Sequence, residues 1–192
     1  NGGTAYETTV YSGGHVYGFK YVGAGSTTIT QLGGRTVQGT FSSAVVESGY
    51  VGSVGSGGNV IDTTVDFGGR LEVYVRGTVD NTAVQSGGSL HVNSNGTALN
   101  TTVSSGGRVS LEYGAVASNT TVLAGGTLVW SNNGGTAYET TVYNGGYVYD
   151  FKYVGAGSTT ISQLGGRTVQ GTFSSAVVES GYVGSVGAGG NV

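Results

Sequence analysis

Between Asp62 and Asp80 the chain places four carboxylates, Asp62, Asp66, Glu72 and Asp80, with Arg70 and Arg76 among them. Paired carboxylates are the equipment of glycoside hydrolysis, in which one group protonates the leaving oxygen while the other attacks or activates water. Polysaccharide cleavage is therefore the first chemistry to weigh. Asn100 and Asn119 each open an Asn-Thr-Thr triplet, the pattern of an N-glycan acceptor, and the recurring threonine pairs are the material of an ice-binding row. His15 and His91 are the only histidines, and cysteine is absent. No Ser-His-Asp or Cys-His relay can be assembled from them, nor a metal site with imidazole or thiolate ligands.

Comparing positions along the chain turns most of these candidates into structure. Asp62 occupies the slot held elsewhere by Glu7, Asn81, Asn100, Asn119 and Glu139, and Arg70 matches Arg108. The shared property of that slot is a polar side chain able to bond neighbouring backbone at a turn. The carboxylates and arginines then read as ion pairs on a solvated face, and His91 lies on the outward side of "SLHVN". Only one threonine of each pair faces away from the following Val, and Ala44 and Val45 interrupt the row. Calcium-binding Gly-Gly-x-Gly-x-Asp repeats are absent. No catalytic residue, metal or cofactor is expected.

Composition narrows the class further. The chain has 192 residues, with 40 glycines, no proline, cysteine or methionine, 9% charged residues and a net charge of -3. That balance offers no basic footprint for nucleic acid. No apolar run approaches the ~20 residues of a membrane-spanning helix, so no membrane insertion by this segment is expected. The lack of thiols is compatible with export through an oxidising compartment. Val, Ile, Leu and aromatics are spread evenly between the glycines, which therefore punctuate short strands.

An apolar residue closes a recurring motif at Val10, Ile29, Val46, Val65, Val84, Val103, Val122, Val142, Ile161 and Val178, at steps of 17 to 20 residues. Gly-Gly or Gly-Tyr follows three or four residues later. A fixed period of this length with turn signals means stacked repeats. Residues 133–192 repeat residues 1–60 with five differences: Ser12/Asn144, His15/Tyr147, Gly18/Asp150, Thr30/Ser162 and Ser56/Ala188. "GRLEVYVRG" alternates as a strand does, placing Leu71, Val73 and Val75 on one face and Arg70, Glu72, Tyr74 and Arg76 on the other. These observations predict an all-β fold: a single-stranded parallel β-helix of about ten coils, spaced ~4.8 Å apart. Residues 1–192 form one solenoid domain, expected to be part of a longer array. The closing Val and Ile residues should form an internal column, with glycines at the corners where a Cβ would clash.

The repeat "GTALNTTVSSGGRVSLEYG" resembles the 19-residue repeat of AIDA-type, self-associating autotransporter adhesins of Gram-negative bacteria. "GTAYETTVYSGG", "GNVIDTTVDFGG", "GTVDNTAVQSGG" and "AVASNTTVLAGG" extend the resemblance along the chain. The coils closing at Ile29, Val46, Ile161 and Val178 depart from it in motif and length. The resemblance implies a right-handed, surface-exposed stalk carried outward by a C-terminal membrane barrel. It also implies adhesion or self-association, and in some members glycan decoration of Ser or Thr.

The tyrosine-rich segments "HVYGFKYVG" and "YVYDFKYVG" set Tyr17, Phe19 and Tyr21, and Tyr149, Phe151 and Tyr153, at alternate positions. Register with "RLEVYVR" would turn Gly18 and Lys20 inward, and Asp150 and Lys152 in the second copy make that untenable. A bulge or register change is expected there. The aromatics then either fill a widened core or form an exposed ladder. The candidate interaction surface is Arg70, Glu72, Tyr74 and Arg76 with Tyr17, Tyr21, Tyr149 and Tyr153. Its expected partners are a second copy of the chain, or a glycan or protein of a host or bacterial surface. The functional expectation is a non-catalytic stalk or adhesive module at the cell surface, the alternative being a β-helical protein that binds or cleaves polysaccharide.

Overall fold

The computed structural model describes residues 3–131, 134–149, 151–165, 168–178, 180 and 186–192. One regular repeat shows how the sequence makes a coil. Strands Ser89–Val92, Thr97–Leu99 and Thr102–Val103 form its three sides. The bend between the last two is made by Asn100 in the left-handed region, at φ 48°, and the same slot holds Asp62 at 52°, Asn81 at 51° and Asn119 at 55°. Asn and Asp reach this conformation most easily among non-glycine residues, because their short side chains bond locally. The polar slot seen in the sequence is therefore a backbone requirement.

The two glycines of the next corner serve different purposes. Gly106 takes φ 75°, whereas a Cβ on Gly107 would stand 2.7 Å from the Val84 carbonyl oxygen of the preceding coil. One glycine supplies the turn and the other allows close stacking.

Successive coils stack in parallel register, with Leu71, Leu90, Val109 and Leu128 in one internal column. Val65, Val84, Val103, Val122 and Val142 form a second. All of these side chains are fully buried, and each contributes roughly 1.5–3 kcal/mol. The aliphatic column expected from the motif is present from Val46 to Val142, whereas Val178, expected to close a later coil in the same column, is 46% exposed. The first threonine of each pair (Thr63, Thr82, Thr101, Thr120 and Thr140) is also buried. The second threonines face outward in a single row broken by Ala83.

The number of coils differs from expectation. Unbroken parallel stacking runs from strand Thr36–Ser42 to strand Tyr147–Val148, about six turns rather than ten, and parallel pairing recurs beyond the second reversal between strands Thr168–Thr172 and Val186–Asn191. Strand Ser26–Gly33 instead lies antiparallel to strand Thr4–Tyr11, with Thr8 opposite Ile29. In the second copy strand Ser158–Gly165 does the same against Thr136–Tyr143, with Thr140 opposite Ile161. The cause is a tight return in which Tyr17 and Gly18 adopt φ 39° and 94°. His15–Val16 then pairs back onto Phe19–Lys20. The following layer is wound in reverse until Gly33 and Thr36 close a second hairpin and forward winding resumes. The 19-residue step from Val10 to Ile29 matches that of a stacked coil, so the period marks the reversed layer only by the 17-residue step from Ile29 to Val46 and does not give its direction.

This return is the register change expected in the tyrosine-rich segment. Lys20 points outward and its ammonium pairs with Glu47 at 3.1 Å, while Phe19 and Tyr21 turn into the core. Phe19 meets Phe41 edge to face at 5.4 Å, and Phe151 meets Phe173 likewise at 5.9 Å. The widened-core alternative is the one adopted. Asp150, one of the residues on which that expectation rested, lies outside the described residues.

Val75 departs from the predicted inward face and is 47% exposed. The strand ends at Val73, and Val75 lies with Arg76 (φ 60°) inside a turn closed by the Gly77 N–H donating to the Tyr74 carbonyl at 2.8 Å, which leaves it facing solvent.

Candidate functional site

The strand Arg70–Val73 buries Leu71 and Val73, so Arg70 and Glu72 must stand on the opposite, solvent-facing side. Stacking puts His91 directly above Glu72 in the next coil. A chain of polar contacts follows. The Arg70 guanidinium meets the Glu72 carboxylate at 2.8 Å and His91 Nδ1 at 3.2 Å. His91 Nε2 reaches the Glu112 carboxylate at 3.0 Å, and the Tyr74 hydroxyl donates to Glu72. That bond, with partial burial and the nearby Glu72 charge, raises the Tyr74 hydroxyl above the ordinary tyrosine range. Tyr74 therefore stays a donor and its ring is held in place.

The reversed layer creates a step beside this network. The Tyr17-Gly18 return packs so closely on the next forward strand that a Cβ on Gly18 would meet the Val51 carbonyl. A groove of ≈ 610 Å³ opens along the step, lined by Tyr17, Arg35, Tyr50, Glu72 and Tyr74 among others. Tyr17, Tyr50 and Tyr74 are 37%, 47% and 39% exposed. The Tyr50 ring lies 6.0 Å from that of His15.

Of the eight residues expected to form a contact surface, the structure gathers four. Arg70, Glu72 and Tyr74 are linked, and Tyr17 faces the last two across the groove. Arg76 sits on the following turn, where its backbone N–H donates to the Asn95 carbonyl and its own carbonyl accepts from the Gly57 N–H. Tyr149 is half-buried near the far end of the forward stack, its ring 5.7 Å from that of Trp130. Tyr21 and Tyr153 are not surface residues. They are 3% and 4% exposed, because the hairpin return inverts which residues of the segment face the core. Their hydroxyls donate to the carbonyls of Ala24 and Ala156.

Sequence reasoning passed over Arg35, Tyr50 and Glu112. Tyr50 carried a signal, since "ESGY" places tyrosine where "DFGG" has its second glycine. In regular coils a Cβ at that slot, as on Gly69, would strike the carbonyl of the coil below. Tyr50 stands over the reversed layer, where the slot accepts a side chain.

The carboxylates that suggested hydrolysis do not converge. Asp62 accepts from the Asn81 side-chain amide at 2.6 Å and Asp80 from that of Asn100 at 2.7 Å, along a ladder at the left-handed corner. Asn119 continues it by donating to Asn100 at 2.7 Å. Glu72 is the one carboxylate of the groove among the described residues. No group of three His, Cys, Asp or Glu residues that could hold a metal occurs among them either.

No curated protein sequence matches the chain. A crystal structure of a hyper-glycosylated TibA fragment, modified by TibC, aligns at 28% identity and TM-score 0.43, covering 81% of this chain and 54% of that one. The chain spans about half the length of that structure. Residues 76–126, nearly three coils of the regular forward stack, match the AIDA family, described as "Adhesin of bacterial autotransporter system, probable stalk". Over that stretch the chain is similar to the stalk of an AIDA-type autotransporter adhesin.

Proposed function

We propose that this chain is a non-catalytic adhesive stalk module of a bacterial surface or secreted protein. The observation that carries the reading is the match of residues 76–126 to an adhesin stalk family, in the coils whose internal columns are most regular. Its place is the cell surface, as part of a Gram-negative outer-membrane passenger in which this domain belongs to a longer array. The stack gives length and stiffness. The face bearing Arg70, Glu72, His91 and the Tyr17–Tyr50–Tyr74 groove gives contact with a second copy, or with a glycan or protein of another surface. Contacts of modest strength add up when many modules are arrayed on one cell.

Beads coated with the 192-residue chain test this. Clumping with one another, or attachment to cells, that soluble chain blocks is the expected result. Beads that stay dispersed and bind no cell surface would leave a spacer with no adhesive role. Release of oligosaccharides from a glycan, lost on Asp66→Asn, would replace the reading with a hydrolase.

A further inference from the structure

We infer that the groove beside the reversed layer binds a saccharide bearing a carboxylate, with Arg35 as its charge partner and Tyr17, Tyr50 and Tyr74 as the rings it lies against. This deepens the adhesive reading and rests on it for its biological meaning, though the binding itself does not depend on clumping.

Charge is the first argument. Glu72 is held by the Arg70 guanidinium at 2.8 Å and by the Tyr74 hydroxyl, so its charge is met within the protein. Arg35, on the same groove, is exposed and its guanidinium pairs with no carboxylate among the described residues. The groove therefore presents one uncompensated planar cation, the geometry that binds a carboxylate through two parallel hydrogen bonds.

Shape is the second. Three half-exposed tyrosines offer ring faces and hydroxyl edges together. A pyranose has the matching character, with C–H faces that pack on rings and a rim of hydroxyls that bond polar groups. The volume of ≈ 610 Å³ lies within the ~300–1,000 Å³ of small-ligand sites. Ten residues line the groove, whereas a standard protein interface takes roughly 20–30 a side, which favours a saccharide over a protein partner.

Pre-organisation is the third. Tyr74 is fixed by Glu72, Tyr50 rests beside His15, and the Tyr17 turn is packed on the backbone of Val51. Little is left to order when a ligand arrives.

Calorimetric titration of the intact chain with oligogalacturonate, with sialyllactose and with uncharged lactose tests the site. One or both acidic sugars should bind, with lactose weaker by about tenfold or more, the worth of one charge-assisted bond. Preference for oligogalacturonate would name a uronate chain as ligand, and preference for sialyllactose a terminal sialate. Arg35→Gln should remove the preference for acid, and Tyr50→Ala should weaken every sugar, with melting temperature unchanged in both. Failure of both acidic sugars to bind at millimolar concentration, or an unaltered preference in Arg35→Gln, overturns the proposal. Loss of bead clumping in Arg35→Gln without sugar binding would also overturn it, assigning the groove to a protein partner while the adhesive reading stands. Sugar binding by beads that neither clump nor attach to cells would sustain the site and sink the adhesive reading.

Discussion

Asn100 shows how much one residue type decides. Its φ of 48° suits Asn, and its side chain bridges Asp80 and Asn119 across neighbouring coils. Asn100→Ala should cost about 1–2 kcal/mol from the left-handed backbone, plus about 0.5 kcal/mol for each ladder bond lost. Asn100→Gly keeps the backbone and loses only the bonds, so urea unfolding should place it between wild type and Ala. Equal midpoints for the two variants would show that backbone strain is unimportant there. Tyr74 makes the residue-scale case for pH. Its hydroxyl is raised above the ordinary value of 10.0 by the bond to Glu72, then by burial. A group whose folded pKa is raised adds stability below its unfolded pKa and loses it as pH rises through the folded one. Wild-type stability should therefore fall above about pH 10 by more than that of Tyr74→Phe. Melting curves of both proteins from pH 8 to 11 check this, and parallel curves would mean that Glu72 does not hold the hydroxyl.

At the scale of the element, the reversed layer is a matter of complementary volume. Gly52 stands in the Leu71 column, and a Cβ there would come within 2.6 Å of the Phe19 ring. The Phe19 side chain thus fills the space that leucine fills in regular coils. Phe19→Ala should destabilise by about 3–5 kcal/mol through the cavity it leaves, and Gly52→Leu by about 1–3 kcal/mol through overpacking. Combined, they should destabilise less than their sum, by about 0.5–3 kcal/mol of coupling. Strict additivity in chemical unfolding would mean that the two positions do not share one space. The sequence pointed to this element through Lys20 and Lys152, charges that regular alternation would have buried. It did not disclose that the chain doubles back, because pairing direction is set by the Tyr17-Gly18 turn and by which strand lies nearest.

For the whole molecule, the 19-residue register is the unit that deletion must respect. Removing residues 78–96 joins coils whose columns coincide, since Asn59 pairs with Thr78 and Thr78 with Thr97. That variant should remain a folded solenoid one coil shorter. Removing residues 78–95 instead moves every later side chain by one position, turning the inward set of its strands to solvent. Circular dichroism and resistance to protease should separate the two, and two equally folded variants would show that register is loosely specified.

The sequence by itself determined the repeat, the internal Val and Leu columns, the glycine corners and the polar slot, because each is a local requirement recurring at a fixed step. Likeness to an adhesin stalk was legible for the same reason, residues 76–126 being the most regular part. Arg70, Glu72 and Tyr74 were legible as a surface because strand alternation fixes their side. Only the tertiary structure decided that forward winding lasts about six turns, that Tyr21 and Tyr153 are core, and that Arg35 and Tyr50 join Tyr17 and Tyr74 around one groove. Those outcomes depend on the direction in which distant strands pair, and a spacing of 19 residues is the same whichever way the chain returns.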